Sequence, residues 1–364
     1  MADSNARSPS QGKPLETARD EFVAEREGNY ALNLEYVLES WIAWCRRRNV
    51  HTLEAITPVT MRRYATHLKQ RVDADAIAAS TARTYYNYVS ALLTRCVEVG
   101  DLAENPAEKR NAKKPLPAAT TSSGDQQFWS PEQRSALVEY VDERAREAID
   151  ADGTDAVEEV RDRALVTVIA YTGVRGSEVL ADSRVERRNG LRWGDVDLAN
   201  GVIRVLGKSG DEEEVGLTGQ TIEPLRRLRT IVDPPATTWP VFPSRHPPSL
   251  YDAIRNAGCE VPDADPWAFV LEREIEPPSM STSGARALLK RLSDAASVPG
   301  LEDGEYLTLH GARRGVGETL YREHGPQRAQ RTLRHADPRT TSQMYSHIEA
   351  SELGADNTAA FDDE

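Results

Sequence analysis

Arginine, histidine, lysine and tyrosine residues recur in four short segments in the second half of the chain. These segments are TGVRGSE (172–178), VLGKSG (205–210), LHGARRG (309–315) and LRHADPRTTSQMYSH (333–347). A guanidinium group is planar and stays charged, so Arg175 and Arg313 are suited to hold two oxygens of an anionic ester at once. His310 stands three residues before Arg313, which places both on one helix face, where the imidazole could donate a hydrogen bond or handle a proton. These residue types indicate chemistry on a phosphodiester.

Together, the four segments resemble the tyrosine recombinase (phage integrase) family. That family carries an Arg after a Gly-containing helix end, a Lys on a β-hairpin turn, an H-x-x-R motif, and a His followed by a nucleophilic Tyr, in this order. The stretches LRWGDVDL (191–198) and VFPS (241–244) match as well, and the resemblance covers roughly residues 15–350. It implies a site-specific DNA recombinase that cleaves and rejoins strands through a 3′-phosphotyrosyl intermediate, with no metal or cofactor.

The resemblance also implies the catalytic roles. Arg175 and Arg313 would hold the phosphate while Tyr345 attacks it. Lys208, on the hairpin turn, would protonate the leaving 5′-oxygen as a general acid. A phenol has a pKa of about 10, so nearby arginines would be needed to favour its phenolate during attack. The predicted catalytic residues are Arg175, Lys208, His310, Arg313, His335 and Tyr345.

Each of these residues, taken alone, is more readily interpreted as a partner in an ion pair or a core contact. Six residues that match the family pattern in type and in order favour the catalytic interpretation. Some neighbours stay open: Glu178 either orients Arg175 or faces solvent, and His347 either approaches the phosphate or lies on the surface. Tyr171 is expected in the core. Candidates for contact with DNA phosphates, nearly as readily only solvated, are Arg46, Arg47, Arg48, Arg62, Arg63 and Arg314.

Three features depart from the family pattern. The chain inserts DSRVERRNG at 182–190, and we expect this longer loop not to touch the site. Ten residues separate His335 from Tyr345, one more than the commonest family spacing, and a turn at 336–338 could absorb the extra residue. Gly176 replaces the β-branched residue often found after the first arginine, which would loosen local packing.

Apolar spacing indicates the elements that must position these residues. Three- and four-residue steps predict helices at 30–45, from Thr57-Pro58 to 68 and from 80 to Gly100 in the first half. Further helices are predicted to start at Ser130-Pro131, to run from about 157 to a stop at Gly173, and to lie at 250–256, 283–292, 310–324 and 327–333. Short apolar runs at 196–198, 202–206 and 215–217 predict an antiparallel meander. Residues 233–280 hold ten of the 21 prolines and are expected to be mainly loop.

These elements predict a mainly α fold with a small antiparallel β-sheet, in which a helical core-binding domain precedes a mixed α/β catalytic domain of the tyrosine recombinase type. The length of 364 residues suits two domains. The predicted boundaries are a flexible arm at 1–14, a helical DNA-binding domain at 15–110, a linker at 111–128, the catalytic domain at 129–350 and an acidic tail at 351–364. The tail, with Phe361 as an apolar anchor, could dock on a neighbouring protomer.

The charge balance is acidic, with 58 acids against 45 bases and a net charge of −13, which alone argues against a nucleic-acid partner. Its distribution weakens that objection, because residues 308–339 carry seven Arg against three acids. The surplus of acids, with 38 of the 45 bases being Arg, resembles proteins adapted to a saline cytoplasm, although genomic base composition is an alternative explanation. Cys45, Cys96 and Cys259 lack the spacing of a disulfide framework or a zinc site.

The expected partners are double-stranded DNA at recombination sites and further copies of the chain, four in the synapse. No apolar stretch approaches the roughly 20 residues of a membrane span, and the start MADSNARSPSQGK lacks the apolar region of a signal peptide, so a cytoplasmic protein is expected. An integrase of a virus or mobile element is the preferred role. A Xer-like chromosome dimer resolvase is the alternative within the class, and a non-cutting architectural or regulatory DNA-binding protein is the alternative outside it.

Overall fold

The computed structural model of the chain describes residues 12–118, 126–185, 187–207 and 210–346. It divides into two units, residues 1–122 and 123–364, each with its own hydrophobic core. The architecture is mainly α-helical with one small antiparallel sheet, which confirms the predicted fold class. In the described ranges, no helix has both the length and the apolar character needed to span a bilayer.

Five α-helices are described in the first unit. They are α1 (Leu15–Ala24), α2 (Gly28–Arg46), α3 (Pro58–Asp73), α4 (Ala79–Glu98) and α5 (Arg110–Lys113). The three predicted helices correspond to α2, α3 and α4. The start of α3 follows directly from its sequence, because Thr57 and Thr60 cap each other's backbone N–H and Pro58 takes the first helical position. Helix α1 was not predicted, although Leu15, Ala18 and Phe22 form a buried stripe on it.

The second unit holds the remaining elements. Its helices are α6 (Pro131–Asp152), α7 (Val157–Thr172), α8 (Gly176–Val179), α9 (Gly219–Val232), α10 (Pro247–Asn256), α11 (Pro266–Glu272), α12 (Thr282–Ala295), α13 (Leu309–Leu333) and α14 (Pro338–Met344). A capping box of Ser130 and Gln133 opens α6 as predicted. The proline-rich stretch forms α10 and also α11, which was expected to be loop. Its prolines stand at first-turn positions, where proline favours a helix.

A three-stranded antiparallel meander lies in the second unit, with β1 (Val196–Asp197), β2 (Val202–Leu206) and β3 (Glu212–Gly216) in the order β1-β2-β3. The third strand begins three residues earlier than its apolar run suggested. Pairing of Leu206 with Glu212 fixes that start, and the glutamates on its outer face satisfy the strand pattern without being apolar.

Two helix ends position the site. Helix α7 is buried on nearly all sides and ends at Gly173 in the left-handed conformation (φ 70°), as its glycine predicted. Helix α13 is kinked at Gly325, next to Pro326, which agrees with the predicted break between two helices. It ends at Arg334, a non-glycine residue that also adopts the left-handed conformation (φ 52°).

Candidate active site

Arg313 joins three of the four segments singled out in the sequence. It lies on the second turn of α13, whose first turn is capped by the Thr308 hydroxyl accepting from Gly311 N at 3.0 Å. The Arg313 side chain is buried and donates to the carbonyl oxygens of Gly173 and Leu333. These carbonyls end α7 and α13, where helix dipoles place negative charge. One guanidinium therefore fixes both helix ends beside the start of α13.

Arg175 follows the end of α7 directly and caps the short helix α8. Its backbone N–H donates to Glu178 Oε2 at 2.7 Å, and its Nη1 donates to Glu178 Oε1 at 2.6 Å. The Glu178 carboxylate is fully buried and orients Arg175, which decides between the two interpretations left open by the sequence. The pKa of Glu178 is lowered, because Arg334 and hydrogen bonds from Arg175 outweigh the opposing effect of burial.

Arg334 is a site residue that sequence reasoning missed. It donates from Nη2 to Glu178 Oε2 and from Nε to Glu213 Oε2 on β3, the latter at 2.6 Å. Its Nη1 is buried, with no hydrogen-bond partner among the described residues. The available signal was a cation next to His335 in the fourth segment. Its significance depends on the burial of Glu178, which no sequence pattern reveals.

The two histidines are neutral at neutral pH. Desolvation and the positive charges of Arg314, Arg313 and Arg175 lower the pKa of His310 to about 4. Desolvation together with neighbouring arginines also lowers the pKa of His335 to about 4.

Thr341, on α14, holds His335 from one side. The His335 Nδ1 and Thr341 Oγ1 atoms lie 2.9 Å apart, and the His335 backbone N–H donates to Gln330 O at 3.1 Å. The Nδ1 atom of His335 is thus occupied by a hydroxyl that can donate or accept a hydrogen bond. The ring is held by side chain and backbone together, which fixes its orientation.

Tyr345 follows α14 and is completely buried. Its hydroxyl donates to Arg314 O at 3.3 Å, and its ring packs on Tyr321 and Phe128 with centroid separations of 5.3 and 6.2 Å. Gly317 leaves the room for the ring, since a β-carbon there would overlap the phenolic oxygen. Burial raises the pKa of Tyr345 and outweighs the opposite effect of Arg313 and Arg314. The expected stabilisation of the phenolate is therefore not a property of this arrangement.

Lys208 and His347 lie outside the described residues. The backbone that flanks Lys208 is described: β2 ends at Leu206, and the Gly207 N–H donates to Asp211 O at 2.8 Å. Arg334, through Glu213, ties β3 to the cluster around Arg175. The hairpin that carries Lys208 in sequence is therefore anchored to the site by its strands.

The inserted loop was expected not to touch the site, and it contacts the backbone that flanks the site at α8 and at the end of β2. Arg188 from this loop donates to Ser177 O at 2.7 Å, to Gly207 O at 2.9 Å and to Leu206 O at 3.3 Å. The physical reason is that the long arginine side chain carries its guanidinium group from the loop to carbonyl oxygens at the end of β2.

Gly176 also packs closely, since a β-carbon there would stand 2.7 Å from Leu309 Cδ1.

The candidates for DNA contact have mixed surroundings. Arg62 and Arg63 are exposed on α3. Arg46 pairs with Glu16 at 2.7 Å, and the Arg48 guanidinium lies 4.1 Å from the Trp44 ring centroid. Arg47 is exposed beside them. In the second unit, the Arg314 guanidinium lies 5.9 Å from the Phe128 ring centroid.

Comparison with known proteins identifies the family of the chain. The Phage integrase family matches residues 140–352, more than half of the chain, so the chain belongs to that family. The tyrosine recombinase XerC of Xylella fastidiosa (strain 9a5c) is 27% identical over 197 residues, which cover 54% of this chain and 51% of XerC. The chain thus spans about half the length of that relative. The XerC of Pelobacter propionicus (strain DSM 2379 / NBRC 103807 / OttBd1) is 23% identical over 255 residues, 68% of this chain and 70% of XerC.

Solved structures share the fold. XerH site-specific recombinase bound to palindromic difH substrate has a TM-score of 0.58 at 15% identity and covers 96% of this chain and 95% of its own. The Tn1549 transposon integrase in complex with transposon right end DNA has a TM-score of 0.57 at 14% identity and covers 95% and 99%. Both likenesses extend over nearly the whole chain, so the similarity in fold is not confined to the matched family segment.

Proposed function

We propose that the protein is a site-specific DNA recombinase that cuts and rejoins strands through a covalent bond to Tyr345. The observation that carries this proposal is the convergence of Arg175, Arg313, His310 and His335 around the ends of α7 and α13, with Tyr345 on the next element. XerH and the Tn1549 integrase, which share the fold, are both in complex with DNA. The proposed substrate is accordingly duplex DNA.

The cationic groups suit a phosphodiester that gains negative charge on its non-bridging oxygens in the transition state. Burial, and then the like charge of Arg175, lower the pKa of Arg313 to about 10, so it is still a cation at neutral pH. Two of its five N–H groups are committed to backbone carbonyls, which leaves donors for a phosphate oxygen. The neutral histidines add hydrogen-bond donors without further charge repulsion. A bound phosphate would raise both of their pKa values.

Tyr345 must give up its buried position before it can attack, because a fully buried oxygen cannot reach a DNA phosphorus. In the proposed step the phenolic oxygen forms a bond to phosphorus, the bond from phosphorus to the 5′-oxygen breaks, and Lys208 gives a proton to that oxygen. A nearby base takes the phenolic proton, and neutral His335 is suited to this by its protonation state. The reverse step, with another 5′-hydroxyl, rejoins strands without an external energy source.

In this proposal residues 15–110 form the core-binding domain, 111–128 the linker and 129–350 the catalytic domain, with arm 1–14 and tail 351–364 at either end. Four protomers would meet on two recombination sites in the cytoplasm, and the tail would contact a neighbour. An integrase of a virus or mobile element is the preferred role over a Xer-like resolvase. A non-cutting DNA-binding protein would not need all six of the predicted catalytic residues that this chain carries.

A nicked suicide substrate tests the proposal. A nick beside the scissile phosphate lets the short 5′-hydroxyl fragment diffuse away, so the covalent intermediate accumulates. The wild-type chain should form a DNA adduct stable to SDS, and peptide mapping should locate it at Tyr345. Tyr345→Phe, which removes only the hydroxyl, should bind the same DNA with unchanged affinity and form no adduct. Binding without an adduct by the wild type, on a nicked substrate that carries its recognised DNA site, would leave only the non-cutting interpretation.

A further inference from the structure

Arg188 holds the end of the β2–β3 hairpin against the helix that follows Arg175. Its Nη1 donates to Ser177 O at 2.7 Å, and its Nη2 donates to Gly207 O at 2.9 Å. The Leu206 carbonyl lies 3.3 Å from Nη1. Ser177 belongs to α8 and Leu206 is the last residue of β2. One guanidinium group therefore links α8 to the end of β2, two elements that are far apart in the sequence.

The loop holds Arg188 firmly enough for this task. The Arg188 backbone N–H donates to Val185 O at 2.9 Å, and its carbonyl accepts from Asp182 N at 2.9 Å. Next to it, Asn189 forms a bridge with Ala181, and its carbonyl accepts from Ser279 Oγ at 2.6 Å. Arg188 is half-buried, so solvent only partly competes for the three carbonyls. Backbone hydrogen bonds on both sides of Arg188 therefore hold the residue that carries the guanidinium group.

The contacts lie where they would set the direction of the hairpin turn. The Gly207 carbonyl accepts from Arg188 and also from Gly210 N at 3.3 Å, so it belongs to the turn itself. Arg334 holds the opposite strand through Glu213. Without Arg188, the hydrogen bonds described at the end of β2 would be those to β3 and those within the turn. A displacement of about 1 Å at a reacting group can lower a rate by roughly 100-fold.

We propose that Arg188 is a positioning residue for proton delivery to the leaving 5′-oxygen, acting by fixing the β2 end from which the turn with Lys208 starts. This inference rests on the proposed function, in which Lys208 is the general acid. It assigns a role in the reaction to the insertion at 182–190, which the family pattern lacks. The role requires the fork of arginine, because a lysine ammonium cannot bridge carbonyls on two elements in the same way.

A substrate with sulfur in place of the bridging 5′-oxygen separates positioning of the acid from general damage. When the bond from phosphorus to sulfur breaks, the thiolate leaves without a proton, since a thiol is far more acidic than an alcohol. Single-turnover cleavage is measured on matched oxygen and sulfur suicide substrates. The proteins are the full-length wild type, Arg188→Ala, Arg188→Lys, Lys208→Ala and Arg187→Ala. Arg187 is the exposed neighbour and controls for loss of one positive charge from the same loop.

On the oxygen substrate we expect Arg188→Ala to cleave about 10- to 100-fold more slowly than wild type, and Lys208→Ala about 100-fold or more. Arg188→Lys should fall between Arg188→Ala and wild type, and Arg187→Ala should match wild type. On the sulfur substrate, Arg188→Ala and Lys208→Ala should both return to within about threefold of wild type. DNA affinity and unfolding temperature, measured on each variant, show that binding and folding are retained. If Arg188→Ala does not fold, the Arg188→Lys ratio of oxygen to sulfur rates takes its place.

The outcomes separate the inference from the function on which it rests. An Arg188→Ala enzyme that is equally slow on both substrates, beside a Lys208→Ala enzyme restored by sulfur, would overturn the positioning role and leave the acid assignment in place. An Arg188→Ala enzyme as fast as wild type on oxygen would overturn it as well. A Lys208→Ala enzyme that sulfur does not restore would instead overturn the assignment of Lys208 as the acid.

Discussion

Gly317→Ala provides a sharp test of the buried position of Tyr345. A β-carbon at residue 317 would overlap the phenolic oxygen and stand 2.8 Å from Tyr345 Cζ and 2.5 Å from Leu333 Cδ1. Such distances are too short for carbon atoms, and the helix backbone on which the new methyl stands cannot move away easily. The ring of Tyr345 is therefore the group expected to leave.

The free-energy change follows from what the ring would lose. Returning a buried side chain of this size to water costs about 1.5–3 kcal/mol. Its aromatic contacts with Tyr321 and Phe128 contribute about 1 kcal/mol, and its hydrogen bond contributes about another 1 kcal/mol. Alanine is favoured over glycine inside a helix by about 1 kcal/mol. We expect Gly317→Ala to lower the free energy of unfolding by about 2–4 kcal/mol.

Two measurements check this expectation. Denaturant unfolding gives the free energy, and acetylation by N-acetylimidazole reports exposure of the phenol. Trypsin releases residues 340–364 as one peptide, because no Lys or Arg follows Arg339, and Tyr345 is its one tyrosine. Mass spectrometry of that peptide should show little acetylation in the wild type and rapid acetylation in Gly317→Ala. Gly219→Ala, with open space around its β-carbon, is the control and should leave acetylation unchanged without lowering the free energy of unfolding.

A double variant makes the cause specific. Gly317→Ala combined with Tyr345→Phe removes the overlapping oxygen, so the two changes should be less destabilising together than their separate effects added. A Gly317→Ala protein with unchanged unfolding free energy and unchanged acetylation would refute the buried position of Tyr345 described above.

Three further predictions follow from charge. His310 and His335 have pKa values lowered from 6.5 to about 4, so the stability linked to their neutral form is complete above pH 6.5 and is lost as the pH falls toward 4. Urea unfolding between pH 7 and 4.5 should show this loss, and His335→Gln should reduce it. Arg334→Ala should lower the free energy of unfolding by about 2–4 kcal/mol because it leaves the buried Glu178 with one cation fewer, whereas Glu213→Gln at a more exposed carboxylate should cost about 1 kcal/mol or less. With a net charge of −13, the fold should gain stability with added salt while DNA affinity declines, and stability unchanged on dialysis to low ionic strength would count against adaptation to a saline cytoplasm.

Much of the helical framework follows from local sequence. The Thr57-Pro58 and Ser130-Pro131 starts, the stop at Gly173 and the break near Gly325 each follow from a cap, a proline or a glycine that acts on the backbone next to it in sequence. Such local signals act in the same way whatever the tertiary structure, so they can be recognised from the sequence alone. Helix α11 was not predicted, because the prolines that were taken to indicate a loop can also stand at the start of a helix.

The sequence by itself determined which residue types are available for phosphate chemistry, in which order they stand, and which helix ends carry Arg175 and Arg313. Only the tertiary structure decided their surroundings. Burial of Glu178 draws Arg334 into the cluster, the reach of Arg188 brings an inserted loop to the hairpin, and the space above Gly317 encloses the phenol. Burial and reach depend on which distant segments meet, and local spacing along the chain carries no information about those meetings.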